Sequence, residues 1–294
     1  MVDTEFHLSP IVAGAWRLAE WQLSVEQRIA WIEGTIERGL TSFDHADIYG
    51  GYQVEALFGE ALAASPGLRE RLQLVTKCGI KLTGAARPSH ESHCYDTSPA
   101  HIVASVENSL RALRTDRIDL LLIHRPDALM DADEVAASFE RLRRDGKVLH
   151  FGASNFAPAP FELLNDRIRL QTNQVECSPL QMAPIHDGTF DQAQRLRARP
   201  MIWSPLAGGR LFSEDSPAAH RVRWVMGEIG ARWGGVSATT LAMAWLLRLP
   251  CRPHPVIGSR RLGIAEEAMA ALGLRLSSDD WYRIWAAAAG HEVA

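Results

Sequence analysis

The sequence has 294 residues and a formal net charge of −4 at pH 7, from 31 lysine and arginine residues against 35 aspartate and glutamate residues. Its composition, 47% hydrophobic and 22% charged, is typical of a globular protein and excludes a disordered, collagen-like or coiled-coil chain. The longest unbroken apolar run, Leu241–Leu247, is far shorter than the roughly 20 residues of a membrane-spanning helix, and no long basic run is present, so neither a membrane nor a nucleic acid is expected as a partner.

Short apolar segments recur along the chain and predict strands. Several are apolar at every position, as at Leu120–Ile123, which is typical of strands buried on both faces of a parallel sheet. In chain order the predicted strands are Ile11–Trp16, Leu40–Asp44, Leu72–Lys77, Ile118–His124, Leu149–Ser154, Leu170–Val175, Met201–Ser204 and Pro255–Ile257.

Amphipathic segments between these strands predict helices. Apolar residues fall on one helical face in Val54–Leu62, Ile102–Leu110 and Val135–Leu142. Ser98 followed by Pro99 predicts an N-cap with proline at the first helical position. The other predicted helices are Ser24–Arg38, Phe161–Asn165, Phe190–Ala198, Ala218–Arg232, Ser237–Leu249, Arg261–Leu272 and Ser278–Ala289.

Eight strands that alternate with helices, with no linker between them, predict one α/β domain over residues 1–294, a (β/α)8 TIM barrel. The alternative, a doubly wound dinucleotide-binding fold, needs a G-x-G-x-x-G motif after the first strand, and Val12–Ala19 lacks it. Barrel active sites form at the carboxyl ends of the strands. The long loops Cys78–Ser98 and Leu206–Ala218, after the third and seventh strands, are therefore expected to border the site.

Four chemically reactive side chains are predicted at one rim of this barrel. Asp44 ends the second strand and Tyr49 follows it, Lys77 ends the third strand, and His124 ends the fourth. Taken singly, each has a structural explanation, as a turn cap, a turn aromatic, a surface-reaching lysine or a core histidine. Their convergence from three neighbouring strands favours a catalytic group instead.

The chemistry of these four residues is coherent. A buried Lys77 needs a counter-charge, and Asp44 on the adjacent strand can supply it. The ammonium is expected to lower the pKa of Tyr49 from about 10 toward neutrality, so that Tyr49 acts as a general acid while a neutral His124 holds the substrate oxygen. The chain has only the lysines Lys77, Lys81 and Lys147. Lysine rather than arginine at the third strand therefore indicates a need for a compact, titratable charge.

The motifs around these residues occur in one order along the chain. They are Phe43–Gly50 (Phe-Asp-His-Ala-Asp-Ile-Tyr-Gly), Val75–Lys77, Leu122–His124, Gly146-Lys147 with Phe151–Phe156, Asn173–Glu176 and Trp203–Arg210. The ordered set resembles the aldo-keto reductase family, above all its bacterial single-barrel oxidoreductases, from about Gly14 to about Ser259. The first motif is similar to the family's Asp-x-Ala-x-x-Tyr signature.

This resemblance implies a nicotinamide-dependent carbonyl reductase or alcohol dehydrogenase acting on a small aldehyde or ketone. At the matching positions the catalytic tetrad would be Asp44, Tyr49, Lys77 and His124. Tyr49 would protonate the carbonyl oxygen as hydride leaves the nicotinamide for the carbonyl carbon.

The implied cofactor is NADP, with NADPH preferred over NADH. Ser154, Asn155 and Gln174 would bind the carboxamide, Trp203 would lie against the nicotinamide ring, and Leu206–Arg210 would wrap the pyrophosphate. Arg260 and Arg261, at the start of the last barrel helix, favour a 2′-phosphate. All predicted cofactor contacts are Ala15, Trp16, Ser154, Asn155, Gln174, Trp203, Ser204, Pro205, Leu206, Gly208, Arg210, Ile257, Gly258, Ser259, Arg260, Arg261 and Glu267.

The sequence departs from the family pattern at two places near the predicted cofactor site. An arginine or histidine often follows five residues after the Ser259 position, where this chain has Ile264. A Glu-Asn pair often serves the adenine, where this chain has Glu267-Ala268. The predicted preference for NADPH over NADH therefore depends on Arg260 and Arg261. The sequence does not determine which residues contact the adenine.

Two other functions remain as alternatives. A regulatory subunit, like channel-associated members of the family, would bind NADP with little turnover. A lyase or aldolase would use Lys77 as a Schiff-base nucleophile, and would leave the Ser-Asn, Trp and Gly-Ser-Arg segments without a role.

The remaining expectations concern the pocket walls and the setting of the protein. The loop Cys78–Ser98 and the tail after Ser277 are expected to form the walls. His90–Cys94 has no second ligand pair at zinc-site spacing, so no metal is expected. Four scattered cysteines, and no leader-like pattern in residues 1–5, predict a reduced, cytoplasmic protein, with a monomer as the default state.

Overall fold

The computed structural model describes residues 6–293, and this part of the chain forms ten strands. They are β1 (Val12–Gly14), β2 (Ser42–Asp44), β3 (Gln73–Cys78), β4 (Ile80–Lys81), β5 (Cys94–Tyr95), β6 (Ile118–Ile123), β7 (Val148–Ser154), β8 (Asn173–Glu176), β9 (Met201–Trp203) and β10 (His254–Ile257). Residues 1–5, for which the sequence predicts no secretory leader, lie outside the described residues.

The same residues form twelve α-helices and three 3-10 turns. The helices are α1 (Val25–Glu37), α2 (Val54–Ala64), α3 (Pro99–Leu113), α4 (Ala132–Arg144), α5 (Pro158–Asn165), α6 (Ala183–His186), α7 (Thr189–Leu196), α8 (Arg210–Ser213), α9 (Pro217–Arg232), α10 (Ala238–Leu247), α11 (Leu262–Ala270) and α12 (Ser278–Ala289). The 3-10 turns are Arg69–Arg71, Ala207–Gly209 and Ala271–Gly273.

Eight parallel strands close into a barrel in the order β1-β10-β9-β8-β7-β6-β3-β2. The predicted single-domain (β/α)8 barrel is therefore confirmed. Every predicted strand is present, with small shifts at the ends; for example, β8 begins at Asn173 rather than Leu170. The short strands β4 and β5 form a separate antiparallel pair that the sequence did not predict.

The solidly apolar strand β6 shows why this sequence forms a barrel. Leu120 and Leu122 pack inside the barrel, while Leu121 and Ile123 pack outward in the core formed with α3 and α4. Alternate side chains of a strand point to opposite faces, so both faces of β6 are buried. Removing each such side chain from water contributes roughly 1.5–3 kcal/mol.

The helices begin where the sequence places capping residues. The Ser98 side chain accepts a hydrogen bond from the His101 amide, and Pro99 follows at the first helical position of α3, as predicted. Ser24 forms a reciprocal capping box with Gln27 at the start of α1. Among residues 6–293, no helix combines the length and the apolar character needed to cross a membrane.

Candidate active site

The strands deliver the predicted residues to one rim, because backbone hydrogen bonds continue past the strand ends. The Ala15 amide donates to the Asp44 carbonyl at 2.9 Å, and the His124 amide donates to the Cys78 carbonyl at 2.8 Å. The backbone amide of Asp47, just beyond β2, donates to the Lys77 carbonyl at 3.1 Å. The carboxyl ends of β1, β2, β3 and β6 therefore meet in one layer, which is where barrels build their sites.

Lys77 lies at the centre of this layer and is almost completely buried, with 1% of its surface exposed. Its Nζ lies 2.8 Å from each carboxylate oxygen of Asp44 and 2.7 Å from the His45 carbonyl. It also lies 3.0 Å from the Tyr49 hydroxyl. The structure therefore brings Asp44, Lys77 and Tyr49 into direct contact, and the predicted Asp44–Lys77 pair is present.

The charge of Lys77 is maintained by its neighbours. Burial lowers the pKa of Lys77, but the Asp44 carboxylate and the contact with Tyr49 raise it by more, so the net pKa lies above the ordinary value. Lys77 is therefore an ammonium at neutral pH. A buried ammonium of this kind is stable only as long as its carboxylate partner stays in place.

Tyr49 departs from the sequence-based expectation in one respect. Burial raises its pKa, and the neighbouring Lys77 ammonium, which acts in the opposite direction, offsets this only in part. The expectation that the net pKa falls toward neutrality is therefore wrong, because spacing along the chain shows the nearby cation but not the loss of solvent. In this site the Tyr49 phenol carries its proton at neutral pH.

His124 lies beside Tyr49, with 6.0 Å between the ring centroids and the rings nearly perpendicular. Burial lowers the pKa of His124 well below its ordinary value, and the charges of Lys77 and Arg125 lower it further. The expected neutral imidazole is confirmed. Its Nδ1 is buried and has no hydrogen-bond partner among residues 6–293. The four residues of the predicted tetrad thus form one contiguous group.

Gln174 has a contact that sequence reasoning missed. Its side-chain nitrogen donates to Asp44 Oδ1 at 2.8 Å, so the carboxylate is held by both Lys77 and Gln174. The amide orientation follows from this contact, since only the nitrogen end can donate to a carboxylate. No signal along the chain could reveal it, because the two residues are 130 positions apart.

The polar residues after β7 connect the tetrad to Trp203. Asn155, at a left-handed φ of 60°, lies between His124 and the end of β9. Its Oδ1 accepts from Trp203 Nε1 at 3.0 Å, and its Nδ2 donates to Ser154 Oγ at 2.8 Å. These bonds fix the half-buried indole of Trp203 beside the polar group.

A second buried polar group lies between α2 and β3. Thr76 Oγ1 donates to Glu55 Oε1 at 2.6 Å, and burial raises the pKa of Glu55 to about 7. Burial and the nearby Glu55 also raise the pKa of Asp47, whose Oδ1 has no hydrogen-bond partner in the described residues. The sequence did not single out either carboxyl group, because a glutamate in an amphipathic helix usually faces solvent.

The loop after β3 borders the site, as expected. It contains the β4–β5 hairpin, and its Leu82 amide donates to the Tyr52 hydroxyl at 2.8 Å. The Arg87 guanidinium lies 4.5 Å from the centre of the Tyr52 ring. The loop is thus anchored on the segment that follows Tyr49. Trp16, which follows β1 two strands away from β3 in the barrel, is 57% exposed.

The sequence predicts the tail after Ser277 as a wall of the pocket. It folds as α12, and its Trp281 ring stacks on Trp245 of α10 with 4.9 Å between the centroids. Arg221 of α9 donates to the Ala287 carbonyl at 2.8 Å. The apolar face of α12 therefore packs against the outer helices, and the assignment of this segment to the pocket wall stays a prediction.

In residues 6–293, no three or more His, Cys, Asp and Glu side chains come together in a way that could hold a metal ion. His90 instead places its Nδ1 3.1 Å from the Leu82 carbonyl.

The sequence pattern of the aldo/keto reductase family matches residues 10–289. The chain belongs to the aldo/keto reductase family. It is 49% identical over 289 residues to the oxidoreductase YdhF of Escherichia coli, covering 97% of this chain and 95% of that one. It is 42% identical over 296 residues to a 6-dehydroglucose reductase of Agrobacterium fabrum, covering 100% and 98%.

A solved structure supports the fold. The glycerol dehydrogenase of Gluconobacter oxydans superposes with a TM-score of 0.83 over 99% of this chain and 94% of that chain, at 24% sequence identity. This likeness concerns the fold alone. With the family assignment and its oxidoreductase relatives, the aldo/keto reductase described here is an NAD(P)-dependent oxidoreductase.

The residues at the far side of the barrel mouth of this aldo/keto reductase fit a nicotinamide dinucleotide. Gly208 and Gly209, with φ of 66° and 99°, leave the exposed turn after β9 without side-chain bulk. The guanidinium groups of Arg260 and Arg261 are exposed, and neither makes a hydrogen bond or an ion pair within residues 6–293. Open backbone and unpaired cations are what a diphosphate and a 2′-phosphate require.

Two predicted cofactor residues already have partners. Arg210 lies 3.3 Å from Glu214 and 3.8 Å from Glu176, so a pyrophosphate would have to compete with these carboxylates. Glu267 Oε2 accepts from the Ser237 hydroxyl at 2.6 Å. Ile264 is half-buried on α11 and packs on the core, which accounts for an apolar residue at that position.

Proposed function

We propose that this aldo/keto reductase uses NADPH to reduce an aldehyde or a ketone to the alcohol, with Tyr49 as the general acid. The observation that carries the proposal is the Tyr49 hydroxyl, 3.0 Å from a Lys77 ammonium that Asp44 holds in place. A protonated phenol beside a fixed positive charge is suited to giving up a proton to an oxygen that becomes negative.

The protein groups have distinct parts in the reaction. When bound, NADPH supplies a hydride to the carbonyl carbon. The carbonyl oxygen lies between Tyr49 and His124, which orient it, and Tyr49 transfers its proton to that oxygen. The C=O π bond becomes the new O–H bond, and the phenolate left on Tyr49 is stabilised by Lys77 until it takes a proton from solvent.

The pKa directions give the protonation states from which reduction starts. The raised pKa of Tyr49 keeps the phenol protonated at neutral pH, which is the form that reduction needs. The lowered pKa of His124 keeps the imidazole neutral, so it does not repel the adjacent Lys77 ammonium. Alcohol oxidation would have to begin from the phenolate, which burial disfavours.

The cofactor contacts in this proposal are those that the sequence predicts. Ser154, Asn155 and Gln174 would bind the carboxamide, and Trp203 would lie against the ring. The open turn Leu206–Arg210 would hold the pyrophosphate. Arg260 and Arg261 would bind the 2′-phosphate, which distinguishes NADPH from NADH. The other predicted contacts, Ala15, Trp16, Ser204, Pro205, Ile257, Gly258, Ser259 and Glu267, belong to the same proposal.

The substrate is proposed to be a small carbonyl compound. Because a relative that is 42% identical over the whole chain is named a 6-dehydroglucose reductase, sugar-derived aldehydes are included among the candidates. The protein is further proposed to be a cytoplasmic monomer. All four cysteines are free in the described residues, which suits a reducing compartment. Light scattering of the purified protein tests the monomer directly.

The experiment that tests the proposal is cofactor oxidation with 4-nitrobenzaldehyde, comparing NADPH with NADH. We expect turnover with an NADPH preference. The double variant Arg260→Ala/Arg261→Ala is expected to raise the KM for NADPH about 10–100-fold, as for the loss of charge-assisted phosphate bonds. The KM for NADH should change little.

The control for this experiment is Arg275→Ala, an exposed arginine with no hydrogen bond or ion pair in the described residues. It should leave both KM values unchanged. Tight NADPH binding without turnover on a broad panel of aldehydes would contradict the reductase proposal and favour the regulatory alternative. Equal use of both cofactors by the unmodified enzyme would contradict the assignment of Arg260 and Arg261.

A further inference from the structure

A cavity of about 610 Å³ lies at the amino-terminal end of the barrel, opposite the tetrad. Arg199 and Arg252 line it just before β9 and β10, Arg248 lines it where α10 ends, and Arg275 lines it after α11. Its volume is within the range of small-molecule sites, about 300–1,000 Å³. The sequence did not predict this cavity, because its arginines come from separate segments of the chain.

The four arginines have no carboxylate partner in the described part of the chain. No acidic side chain of residues 6–293 lines the cavity, and none of the four guanidinium groups makes an ion pair there. By contrast, Arg38 pairs with Glu266 at 2.7 Å, and Arg283 pairs with Glu228 at 2.6 Å. The cavity therefore carries several positive charges that no protein group neutralises.

Two of these guanidinium groups are held in place by backbone carbonyl groups. Arg199 donates through Nε to the Arg252 carbonyl at 2.7 Å, and Arg248 donates through Nε to the Leu276 carbonyl at 3.4 Å. Because each bond uses Nε, both terminal nitrogens of each group remain free to donate. Burial lowers the pKa of Arg199, and the nearby charge of Arg252 lowers it further. The two cations thus repel each other, and a bound anion would relieve this repulsion.

The cavity also has apolar walls. The side chains of Leu247, Leu249, Leu272 and Leu274 line it, and Leu272 is 46% exposed although it is a large apolar residue. Guanidinium groups bind phosphate oxygens through paired N–H bonds, whereas leucine side chains favour contact with an apolar chain or a flat ring. A ligand that combines several phosphate groups with an apolar body matches both kinds of surface.

We propose that this cavity is a second ligand-binding site, which takes a small molecule with two or more phosphate groups on an apolar or aromatic body, as in a nucleoside triphosphate. The guanidinium groups donate to the phosphate oxygens, and the leucine side chains contact the base. The proposed cofactor contacts lie at the carboxyl ends of the strands, so the two sites are at opposite ends of the barrel. The inference does not depend on the proposed carbonyl reduction.

Isothermal titration calorimetry of the full chain with ATP tests the proposal, without divalent cations and at about 0.15 M salt, where weak surface attraction is screened. Tripolyphosphate and adenosine are titrated in the same way, because they carry the phosphate part and the apolar part of ATP separately. We expect ATP to bind about tenfold or more tightly than either of them.

The double variant Arg199→Gln/Arg252→Gln, the cavity variant, removes two charges and keeps a side-chain amide near the Arg252 carbonyl. It should raise the Kd for ATP about 10–100-fold, as for the loss of charge-assisted hydrogen bonds. Arg252→Gln alone removes an exposed guanidinium without a side-chain partner in residues 6–293 and should raise the Kd by less. Thermal unfolding checks that each variant is folded, and the single variant decides the point if the double variant is not.

Two control variants separate the cavity from other positive charges. Arg114→Gln/Arg117→Gln removes two arginines beside the amino end of β6, across the barrel from β10. Arg260→Ala/Arg261→Ala removes two arginines at the proposed cofactor site. Both should leave the Kd for ATP at the cavity unchanged.

Three results would overturn the inference. The first is ATP binding that survives in the cavity variant but is lost in Arg260→Ala/Arg261→Ala, since ATP would then occupy the proposed cofactor site. The second is a Kd that is the same in the cavity variant and in the unmodified protein, or no binding at millimolar ATP. The third is tripolyphosphate bound as tightly as ATP, which would contradict a role for the apolar walls.

Discussion

At the residue scale, the site depends on a charge pair in which both partners are out of water. Lys77 and Asp44 are 1% and 3% exposed, and their side chains are held by one another, by Gln174 and by the His45 carbonyl. Such a pair does not add much stability by itself, because desolvation of the two ions offsets their attraction. The role of the pair is to hold a positive charge in a fixed position beside the Tyr49 hydroxyl.

Breaking this pair should separate its structural role from its catalytic role. Lys77→Met leaves the Asp44 carboxylate buried without its ammonium and is expected to lower the free energy of unfolding by about 3–5 kcal/mol. The double variant Asp44→Asn/Lys77→Met removes both charges and should regain most of that stability while remaining inactive. Urea unfolding and aldehyde reduction are the two measurements. A double variant less stable than Lys77→Met would contradict the account.

The sequence predicted which four residues meet at the rim, but not the direction in which the pKa of Tyr49 moves. Spacing along a barrel brings Asp44, Lys77 and His124 to one rim, since each ends a strand. It does not report how much water remains around Tyr49, and burial decides the direction of its pKa. The sequence could not predict the hydrogen bond between Gln174 and Asp44, because this bond joins residues on strands that are not neighbours in the barrel.

At the element scale, the close approach of α2 and α3 depends on a single glycine. A Cβ at Gly59 of α2 would lie 2.0 Å from the Ala112 carbonyl oxygen and 2.8 Å from Leu113 of α3. Both clashes are with backbone, which cannot turn aside as a side chain can. The two helices therefore cannot pack at this distance with any larger residue at that position.

Two glycine-to-alanine substitutions in helices should change the stability of the protein in opposite directions. Gly59→Ala is expected to destabilise the protein by about 1–3 kcal/mol, because α2 and α3 must move apart. Gly227→Ala, in the exposed face of α9 with nothing within 4 Å of the new Cβ, should stabilise it by about 0.5–1 kcal/mol through helix propensity. Thermal unfolding of both variants decides the point. Stabilisation by both substitutions would show that helix propensity outweighs the predicted clash at Gly59, and destabilisation by both would contradict the prediction for Gly227.

The elements that the sequence predicted best are those with a strong apolar pattern. β6 and α3 were predicted because the first is apolar at every position from Leu120 to Ile123 and the second begins with Ser98 and Pro99. The hairpin of β4 and β5 was missed, since each strand has two residues and the hairpin is fixed by contacts with Tyr52 rather than by its own pattern. The helix α12 was predicted, but its docking against α9 was not.

At the scale of the whole molecule, buried histidines make folding sensitive to acid. His254 opens β10, where its amide donates to the Pro200 carbonyl at 2.8 Å and its Nδ1 lies 2.9 Å from the Ser9 carbonyl. Burial lowers the pKa of His254 to about 4. The unfolded chain, with an ordinary histidine pKa near 6.5, therefore binds a proton that the folded barrel does not bind between these two values.

It follows that the contribution of His254 is complete above about pH 6.5 and is lost as the pH falls toward 4. The loss amounts to roughly 3 kcal/mol when the pKa difference is converted. His254→Asn retains a donor near the Ser9 carbonyl but cannot titrate. In urea unfolding between pH 7 and pH 4, we expect a shallower fall in stability for His254→Asn than for the unmodified protein. Parallel pH profiles would count against a neutral His254 in the fold.

The central claim is that Tyr49 donates the proton in an NADPH-dependent reduction, and its most direct test is the rate of aldehyde reduction by Tyr49→Phe. The matched control is Tyr52→Phe, which removes a hydroxyl three residues away that accepts a hydrogen bond from the Leu82 amide. The account predicts a loss of about 10²–10⁴-fold in kcat for Tyr49→Phe with NADPH affinity retained, and little loss for Tyr52→Phe. Undiminished reduction by Tyr49→Phe, with NADPH bound as before, would contradict it.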